Sequence, residues 1–572
     1  MDVSISYRLY TRQERLDYNK LAMSKMWTIF TKKQTSVGSA AFVLMLMVFA
    51  SRVLGLVRDR FLSARFAPDE LGVYFAAFRL PNLLFELLVM GALTAAFIPV
   101  YTKYISKQKE GDAQKMASVL INLGVCVLVL FSIPVMIWTE DISRLLAPGF
   151  TGAQIAQMAE FTRFMVCLQV TPLLVGNFFT GILQAHNYFV IPALAPVVYN
   201  IGIITGILLF SQQYGLWAPV IGVGIGAFFF MLIQLPLLLR VGYRHSLSVN
   251  HRLAGVKEVV ALMGPRTFGL AVSQIDTTVD LMLATLLGAR MVTIFNFAQH
   301  LQQLPVGLFG VTVAQAVLPT LSFQSAKENG EDFKRTILRS FHQILFLILP
   351  VSALFIVLRI PIVRLVFGAS RFDWEATVLT GMTLSTFSIS LFAQAAVQVL
   401  ARGYYALYDT KTPVAVGVVS VLVNTLLSIV FVMIYKFPIW SLGLSASIAS
   451  ILNAVLLLIF LDKKIGHFSL KELLGPTAKM LIASVATGVA LYVPLKLFDQ
   501  LVFDTTRVFG LLLLTGIVSA IGLATYVLLS WVMGVGEVRY VWSLLRRVRR
   551  AQPVLLEPAS EVVNGGMESK VS

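Results

Sequence analysis

Apolar stretches of about 20 residues, the length a helix needs to cross a bilayer, recur about fourteen times along this chain. They centre near residues 50, 86, 127, 170, 200, 228, 272, 306, 345, 388, 423, 450, 484 and 519, with short polar or basic turns between them. The pattern predicts an all-α polytopic membrane protein of about fourteen transmembrane helices. The first stretch breaks the rule. Ser51, Arg52, Arg58, Asp59 and Arg60 follow the apolar run Ala40 to Ala50 with no interruption of helical pattern. A charge at the centre of a membrane helix costs roughly 2.5–3.5 kcal/mol on insertion scales, so it persists where it faces a partner, a bundle interior or a watery cavity.

Helical periodicity says where these groups point. Seven residues make nearly two turns, so Arg52 and Asp59 share one face and Ser51 and Arg58 the adjoining one. The first helix therefore carries one polar sector, suited to lining a cavity or to ion pairing within the bundle. Arg60, near the helix end, reads as a residue that snorkels to the interface. In the second stretch Arg79, Asn82 and Glu86 form one stripe, and Pro81 among them predicts a kink, because proline removes a helical hydrogen bond. Glu86 could neutralise Arg79 at two turns' distance.

Composition agrees with the pattern: 57% of the 572 residues are hydrophobic, 13% are charged, and mean hydropathy is +0.80. A soluble core is excluded. The net charge of +17 raises nucleic acid as a partner, but its placement decides otherwise. With loops assigned alternately to two sides, about 30 Lys and Arg fall on the side of the N-terminal tail against about 10 opposite. The charge sets topology rather than nucleic-acid binding, with both termini expected in the cytoplasm. Cys126 and Cys167 fall inside predicted spans and read as packing residues, not as a disulfide or zinc site. The first 36 residues lack an early apolar region and a cleavage site, so no cleavable signal peptide is expected. Leu544 to Arg550 reads as a basic surface helix favouring anionic lipid.

Comparing the chain with itself at a shift of about 220 residues pairs Pro99 with Pro319 and Ile142-Ser143-Arg144-Leu145 with Ile362-Val363-Arg364-Leu365. Pro192 pairs with Pro413 after a slip of one. This predicts two six-helix lobes, 37–240 and 256–463, around a central cavity. A cytoplasmic N-terminal tail, 1–36, precedes them. Two further helices, 474–534, and a basic cytoplasmic tail, 535–572, follow. Six helices per lobe is even, so the lobes should be related by an axis along the membrane normal.

The lobes carry different chemistry. The seventh stretch places Arg266, Ser273, Thr277 and Asp280 on one face, with Asp276 a turn before Asp280. The eighth carries a polar stripe of Asn296, Gln299, His300 and Gln303 that ends at Pro305. An intramembrane His is as readily a satisfied hydrogen bonder as a ligand contact. Gln394 and Gln398 on the tenth read as interhelical hydrogen bonders. Guanidinium groups in the first lobe suit bidentate phosphate binding. Asp276 and Asp280 in the second suit a small cation or proton carriage. A transporter of an anionic substrate coupled to a cation fits both.

The segments Ser51-Arg52-Val53-Leu54-Gly55-Leu56-Val57-Arg58-Asp59, Phe78-Arg79-Leu80-Pro81-Asn82, and Gly91-Ala92-Leu93 leading to Ala96-Phe97-Ile98-Pro99-Val100-Tyr101 resemble the MurJ (MviN) lipid II flippases of the MOP exporter superfamily. So do Leu146-Ala147-Pro148-Gly149-Phe150, Leu304-Pro305-Val306-Gly307, Leu318-Pro319-Thr320-Leu321-Ser322, Ala401-Arg402-Gly403-Tyr404-Tyr405-Ala406 and Asp409-Thr410-Lys411-Thr412-Pro413-Val414. The resemblance covers about residues 37–530, and the motifs together are specific where each alone is weak.

The resemblance implies a multi-pass protein of the bacterial inner membrane with a V-shaped cavity between lobes and a groove for a lipid tail on the last two helices. The cargo it implies is lipid II, the undecaprenyl-pyrophosphate-linked precursor of peptidoglycan. Membrane lipids and the cell-wall synthesis machinery are the further partners, and no nucleic acid. The family's cavity arginines match Arg52 and Arg58, beside Ser51 and Asp59, and its second-helix Asn matches Asn82. Asp280 and Asn424 match its sodium site. No cofactor is implied beyond a sodium ion or proton as coupling ion. Three positions depart from the family: Phe85 and His300 stand where it carries arginines, and Met90 where it carries an acid. Arg79 and Arg266 are then the candidate substitutes in a substrate site of Ser51, Arg52, Arg58, Asp59, Arg79, Asn82, Glu86, Arg266, His300 and Gln303. The rival functions are a flippase for another polyprenyl-linked glycan (O-antigen or capsule type), a non-transporting scaffold of the same fold, and a membrane enzyme. For the enzyme the exterior Asp373 and Glu375 are the candidates, although alone they read as solvated charges.

Overall fold

A computed structural model describes residues 37–90, 96–327, 330–505 and 507–538. The tails, including Leu544 to Arg550, lie outside the described residues. Numbering the expected spans in order, the first is the unbroken helix Val37–Arg65. The second is segmented: Pro68–Ala77, then Arg79–Phe85, then a π-helical turn Glu86–Met90, and finally Ile98–Ser106. The expected kink thus takes the form of a break at Phe78 followed by a widened turn after Phe85. Such widened turns recur at functional sites.

The two halves repeat each other helix by helix at a spacing of about 220 residues. Glu110–Ile137 returns as Gly330–Val357, Thr139–Leu146 as Arg359–Phe367, Gly152–Met165 as Trp374–Ser388, and Thr171–Ala185 as Leu391–Ala406. The π-helical turn Glu86–Met90 returns as Val306–Val311. Even the caps correspond. Thr151 accepts from the Gln154 backbone amide at the start of the fourth span. Asp373 does the same for Ala376 at the start of the tenth. Each satisfies an orphan donor of a helix N-terminus.

Among the described residues, ten helices are long and apolar enough to cross a bilayer, and eleven if Trp374–Ser388 and Leu391–Ala406, bent by 43°, count as one span. Fourteen were expected. The other three, Val37–Arg65, the segments from Pro68–Ala77 to Ile98–Ser106, and Ala254–Leu286, stand outside that set, so apolarity and length support ten or eleven.

The halves meet at one end in a shared apolar core. Leu62, Tyr74 and Phe161 of the first half pack in one cluster with Phe295, Phe297 and Phe367 of the second. Phe75 meets Phe297 edge-on at 5.6 Å, and Phe297 stacks on Phe367 at 4.2 Å. Hydrogen bonds reinforce the contact: Thr293 donates to the Pro68 carbonyl at 2.6 Å and Ser63 to that of Phe367 at 2.8 Å. Backbone approaches backbone here, since a Cβ on Gly72 would lie 1.9 Å from the Ala289 carbonyl oxygen and one on Gly149 2.0 Å from that of Thr285.

This end also corrects two readings, of Arg60 and of the exterior acids. Arg60 does not snorkel but donates to the Arg364 carbonyl of the second half at 3.3 Å. Asp373 and Glu375 are not merely solvated: Arg290 pairs with Asp373, with Glu375 at 3.3 Å and with Asp69 of the first half at 3.6 Å. A loop acid becomes a partner once the fold brings a guanidinium within reach. Cys126 and Cys167, expected to pack inside, are both exposed on helix surfaces. The helical turn faces them outward, which apolarity alone could not reveal.

Candidate functional site: a polar cavity between the halves

A cavity of about 340 Å³ lies between the halves, and Arg58, Arg79, Asn82, Tyr199, His300 and Gln303 are among its lining. Ordinary periodicity assembles it. Ser51 and Arg58, seven residues apart, both meet Asn200 of the fifth span, Val190–Tyr214: Arg58 Nη1 donates to Asn200 Oδ1 at 3.3 Å, and Asn200 Nδ2 donates to the Ser51 hydroxyl and carbonyl, each at 3.3 Å. Arg52 and Asp59, again seven apart, both reach the eighth span, Ala289–Pro305. Arg52 Nη1 donates to Gln303 Oε1 at 3.0 Å, and His300 Nδ1 lies 2.7 Å from Asp59 Oδ2. One edge of the polar sector stays in its own half and the other crosses to the second.

The three arginines are not equivalent. Arg58 is held by Asp59, with Nε and Nη2 donating to Oδ1 at 3.0 and 2.8 Å. Asp59 is 1% exposed. A carboxylate removed from water in this way needs a compensating cation and hydrogen bonds; Arg58 supplies the cation at Oδ1, and His300 meets Oδ2. Arg79, 8% exposed, does not use Glu86 as a hydrogen-bond partner. It donates to Thr278 Oγ1 at 2.9 and 2.7 Å and to the Gln274 carbonyl of the seventh span, Ala254–Leu286. It is spent as a tie between halves. Arg52 is exposed, and among the described residues its hydrogen-bond partner is a neutral amide, which satisfies one of a guanidinium's five donors.

The remaining candidates fall around this frame. Asn82 is exposed into the cavity, Glu86 is half-buried in the π-helical turn, and Asn296 and Gln299 complete the eighth-span stripe. The Arg266 side chain lies outside the described residues. Phe85 is packed against the apolar core of the first half, so that position presents no charge to the cavity. Gln394 accepts from Gln302 at 2.6 Å, the interhelical bond expected of it. Asn200 was missed, although a lone Asn in an otherwise apolar span is the signal that such a residue has a partner.

A second polar cluster lies within the second half. Asn424 Nδ2 donates to Asp276 Oδ1 at 2.8 Å, Ser428 Oγ stands 3.5 Å from Asp280 Oδ1, and Ser428 and Ser445 are 2.6 Å apart. The Asn424 carbonyl oxygen is buried and finds no hydrogen-bond partner among the described residues. Among the described residues no group of three or more His, Cys, Asp and Glu is placed to hold a metal. The oxygens here are of the hard kind that suit a small cation such as sodium.

The sequence profile described as lipid II flippase MurJ matches residues 62–513. The chain belongs to the MurJ family of lipid II flippases. A MurJ relative from Bdellovibrio bacteriovorus, described as a probable lipid II flippase, is 28% identical over 512 residues, 87% of this chain and 95% of the relative. The lipid II flippase MurJ of Burkholderia cenocepacia is 27% identical over 431 residues, 72% of this chain and 81% of the relative. A solved structure of the lipid II flippase MurJ in an inward closed conformation superposes with a TM-score of 0.72 at 25% identity, covering 86% of this chain and 98% of the other. An inward-facing MATE-family transporter of the MOP superfamily shares the fold alone, with a TM-score of 0.64 at 13% identity over 74% of this chain and 98% of that one. Membership in the MurJ family makes the chain a multi-pass inner-membrane transporter rather than an enzyme.

Proposed function

We propose that the chain moves lipid II from the cytoplasmic to the outer leaflet of the inner membrane by alternating access. The observation that carries this reading is the polar cavity between two repeated halves that are closed against each other at one end. The closed end holds Arg290 and its acids, and the loop charges put it outside, with both termini in the cytoplasm.

Residues lining the cavity, and Arg52 beside it on Gln303, divide the work. Arg52, held among the described residues by the neutral Gln303, offers the guanidinium that meets the pyrophosphate, in the planar two-point geometry arginine gives phosphate oxygens. Arg58 follows by sharing itself between Asp59 and the phosphate. Asn82, Gln299 and Gln303 offer neutral donors and acceptors for sugar hydroxyls. Release of the Arg79 tie and of the contacts around Gly72 and Gly149 would let the halves rock. The lipid tail travels along the last two helices.

Asp276, Asp280 and Asn424 are the residues that would hold a sodium ion, which supplies a positive charge bound in one state of the cycle. Moving a unit charge across the membrane is worth about 2.3 kcal/mol per 100 mV. Replacing Asp280→Asn and Asn424→Ala together should abolish stabilisation of the purified protein by sodium relative to potassium, read as the loss of a melting-temperature shift.

Transport itself is tested with labelled lipid II in liposomes. Arg52→Ala and Arg58→Ala should each lower the flipping rate at least about tenfold, the cost of one charge-assisted hydrogen bond of about 1.5–3 kcal/mol. Unchanged flipping by both variants would remove the arginines from the mechanism.

A further inference from the structure

The eighth-span histidine gives this cavity a property that a fixed guanidinium cannot. His300 Nδ1 is within 2.7 Å of Asp59 Oδ2, while the other oxygen of the same carboxylate receives Arg58. His300 is 29% exposed and lines the cavity, so its second nitrogen can exchange a proton with water there. With the imidazole neutral, Arg58 and Asp59 cancel and the cluster has no net charge. With Nε2 protonated, the cluster is a cation.

We infer that binding of the anionic cargo is coupled to proton uptake at His300, transmitted to Arg58 through the shared carboxylate of Asp59. The proton goes to Nε2, which becomes a donor directed at the cavity. Asp59, now shared between two cations, holds Arg58 less exclusively, and Arg58 is released toward a phosphate oxygen. Asp59 is thereby a positioning residue. It sets how much of the Arg58 charge reaches the cargo. Because the coupling is reciprocal, cargo binding draws a proton onto His300 to the same extent that the proton favours cargo.

Glu86 is the other group around the cavity that can change its protonation, and the His300→Gln variant below separates its contribution from that of His300. The first helix presents Arg52, Arg58 and Asp59, the second Tyr74, Arg79 and Glu86, and the fifth Tyr199. The seventh faces the cavity with Thr277, Leu281 and Ala284, its acids being engaged with Asn424 and Ser428. Guanidinium groups and phenols keep their charge between about pH 5 and 8, whereas imidazole is the side chain that changes there. The pyrophosphate diester of lipid II has no ionisation near neutrality.

This inference rests on the lipid II reading, and the experiment separates the two. Binding of a short-chain fluorescent lipid II to the purified full-length protein is measured from about pH 5.5 to 8, the range in which imidazole titrates. The native protein should bind roughly tenfold more tightly at the acid end, from one added charge in the cavity. His300→Gln should show weak binding with no pH dependence, and His300→Arg tight binding with none. Native binding that is independent of pH, or a His300→Gln variant that keeps the native slope, would overturn the proton coupling alone. Absence of lipid II binding at every pH would overturn the flippase reading, and this one with it.

Discussion

The contact at the closed end can be loosened by a single methyl group. In Gly72→Ala the new Cβ would stand 1.9 Å from the Ala289 carbonyl oxygen and 2.5 Å from its carbon, against the 3.4 Å at which ordinary contact begins. The second and eighth spans must then separate by roughly 1.5 Å to restore van der Waals distance. Neither side can yield locally, because the obstacle is helix backbone and not the end of a flexible side chain. Overpacking of this kind costs about 1–3 kcal/mol, and it falls only on states in which these helices touch. A differential of that size shifts a two-state equilibrium by about 5- to 150-fold toward the state open at this end. The assay places a reporter, Thr277→Cys, in the cavity lining of a background lacking Cys126 and Cys167, since both native thiols are exposed. A membrane-impermeant maleimide is then added to right-side-out vesicles. Labelling should be at least about fivefold faster with Gly72→Ala, and Gly149→Ala, whose Cβ would lie 2.0 Å from the Thr285 carbonyl oxygen, should act in the same direction. Equal labelling rates in a variant that melts like its parent would refute the argument that this backbone contact is the closure.

Arg290→Gln leaves Asp69, Asp373 and Glu375 without their shared cation. Each pair is partly solvated and worth about 0–1 kcal/mol, so the same reporter should label faster, by less than in Gly72→Ala, and high salt should blunt the difference. Asp409 accepts from the backbone amides of Lys411 and Thr412, at 3.1 and 3.0 Å, and from Lys464. The Lys464 hydrogen bond, chiefly, holds its carboxyl well below the usual carboxylate range. A depressed carboxyl stabilises the fold above the ordinary aspartate value of about 3.9, and that stabilisation is lost as pH falls through the folded-state value. Asp409→Asn should therefore lower the melting temperature at neutral pH, by an amount equivalent to about 0.5–2 kcal/mol for a lost cap. It should also narrow the gap from the native protein in strong acid. A melting difference that does not shrink on acidification would show that the carboxylate charge is not the stabilising feature.

Several features were legible in the sequence because they are local. The seven-residue spacings Ser51 to Arg58 and Arg52 to Asp59 assigned each pair to one helix face, and the structure uses those faces on Asn200 and on the eighth span. The paired prolines and the Ile142 and Ile362 segments disclosed the duplication. The Asp409 to Pro413 motif, read only as a resemblance, is an acid binding the first amides of the helix Lys411–Ile429. Arg60, Cys126 and Cys167 were misjudged for one reason: a residue's depth in a hydropathy profile says nothing of which way its helix is turned.

By itself the sequence determined that the chain is a duplicated membrane-helix protein, which residues share a helix face, and which charges need a partner. Helical period and bilayer thickness act on neighbours along the chain, and both are written there directly. Only the tertiary structure decided how those charges are spent. Arg52 meets the neutral Gln303, Arg58 is divided between Asp59 and the cavity, Arg79 is consumed as a tie to Thr278, and Asn424 bonds Asp276 ahead of Asp280. Each of these pairings depends on the rotation and crossing of helices far apart in sequence, and in hydrocarbon that packing is set by side-chain fit and interhelical hydrogen bonds that no local pattern encodes.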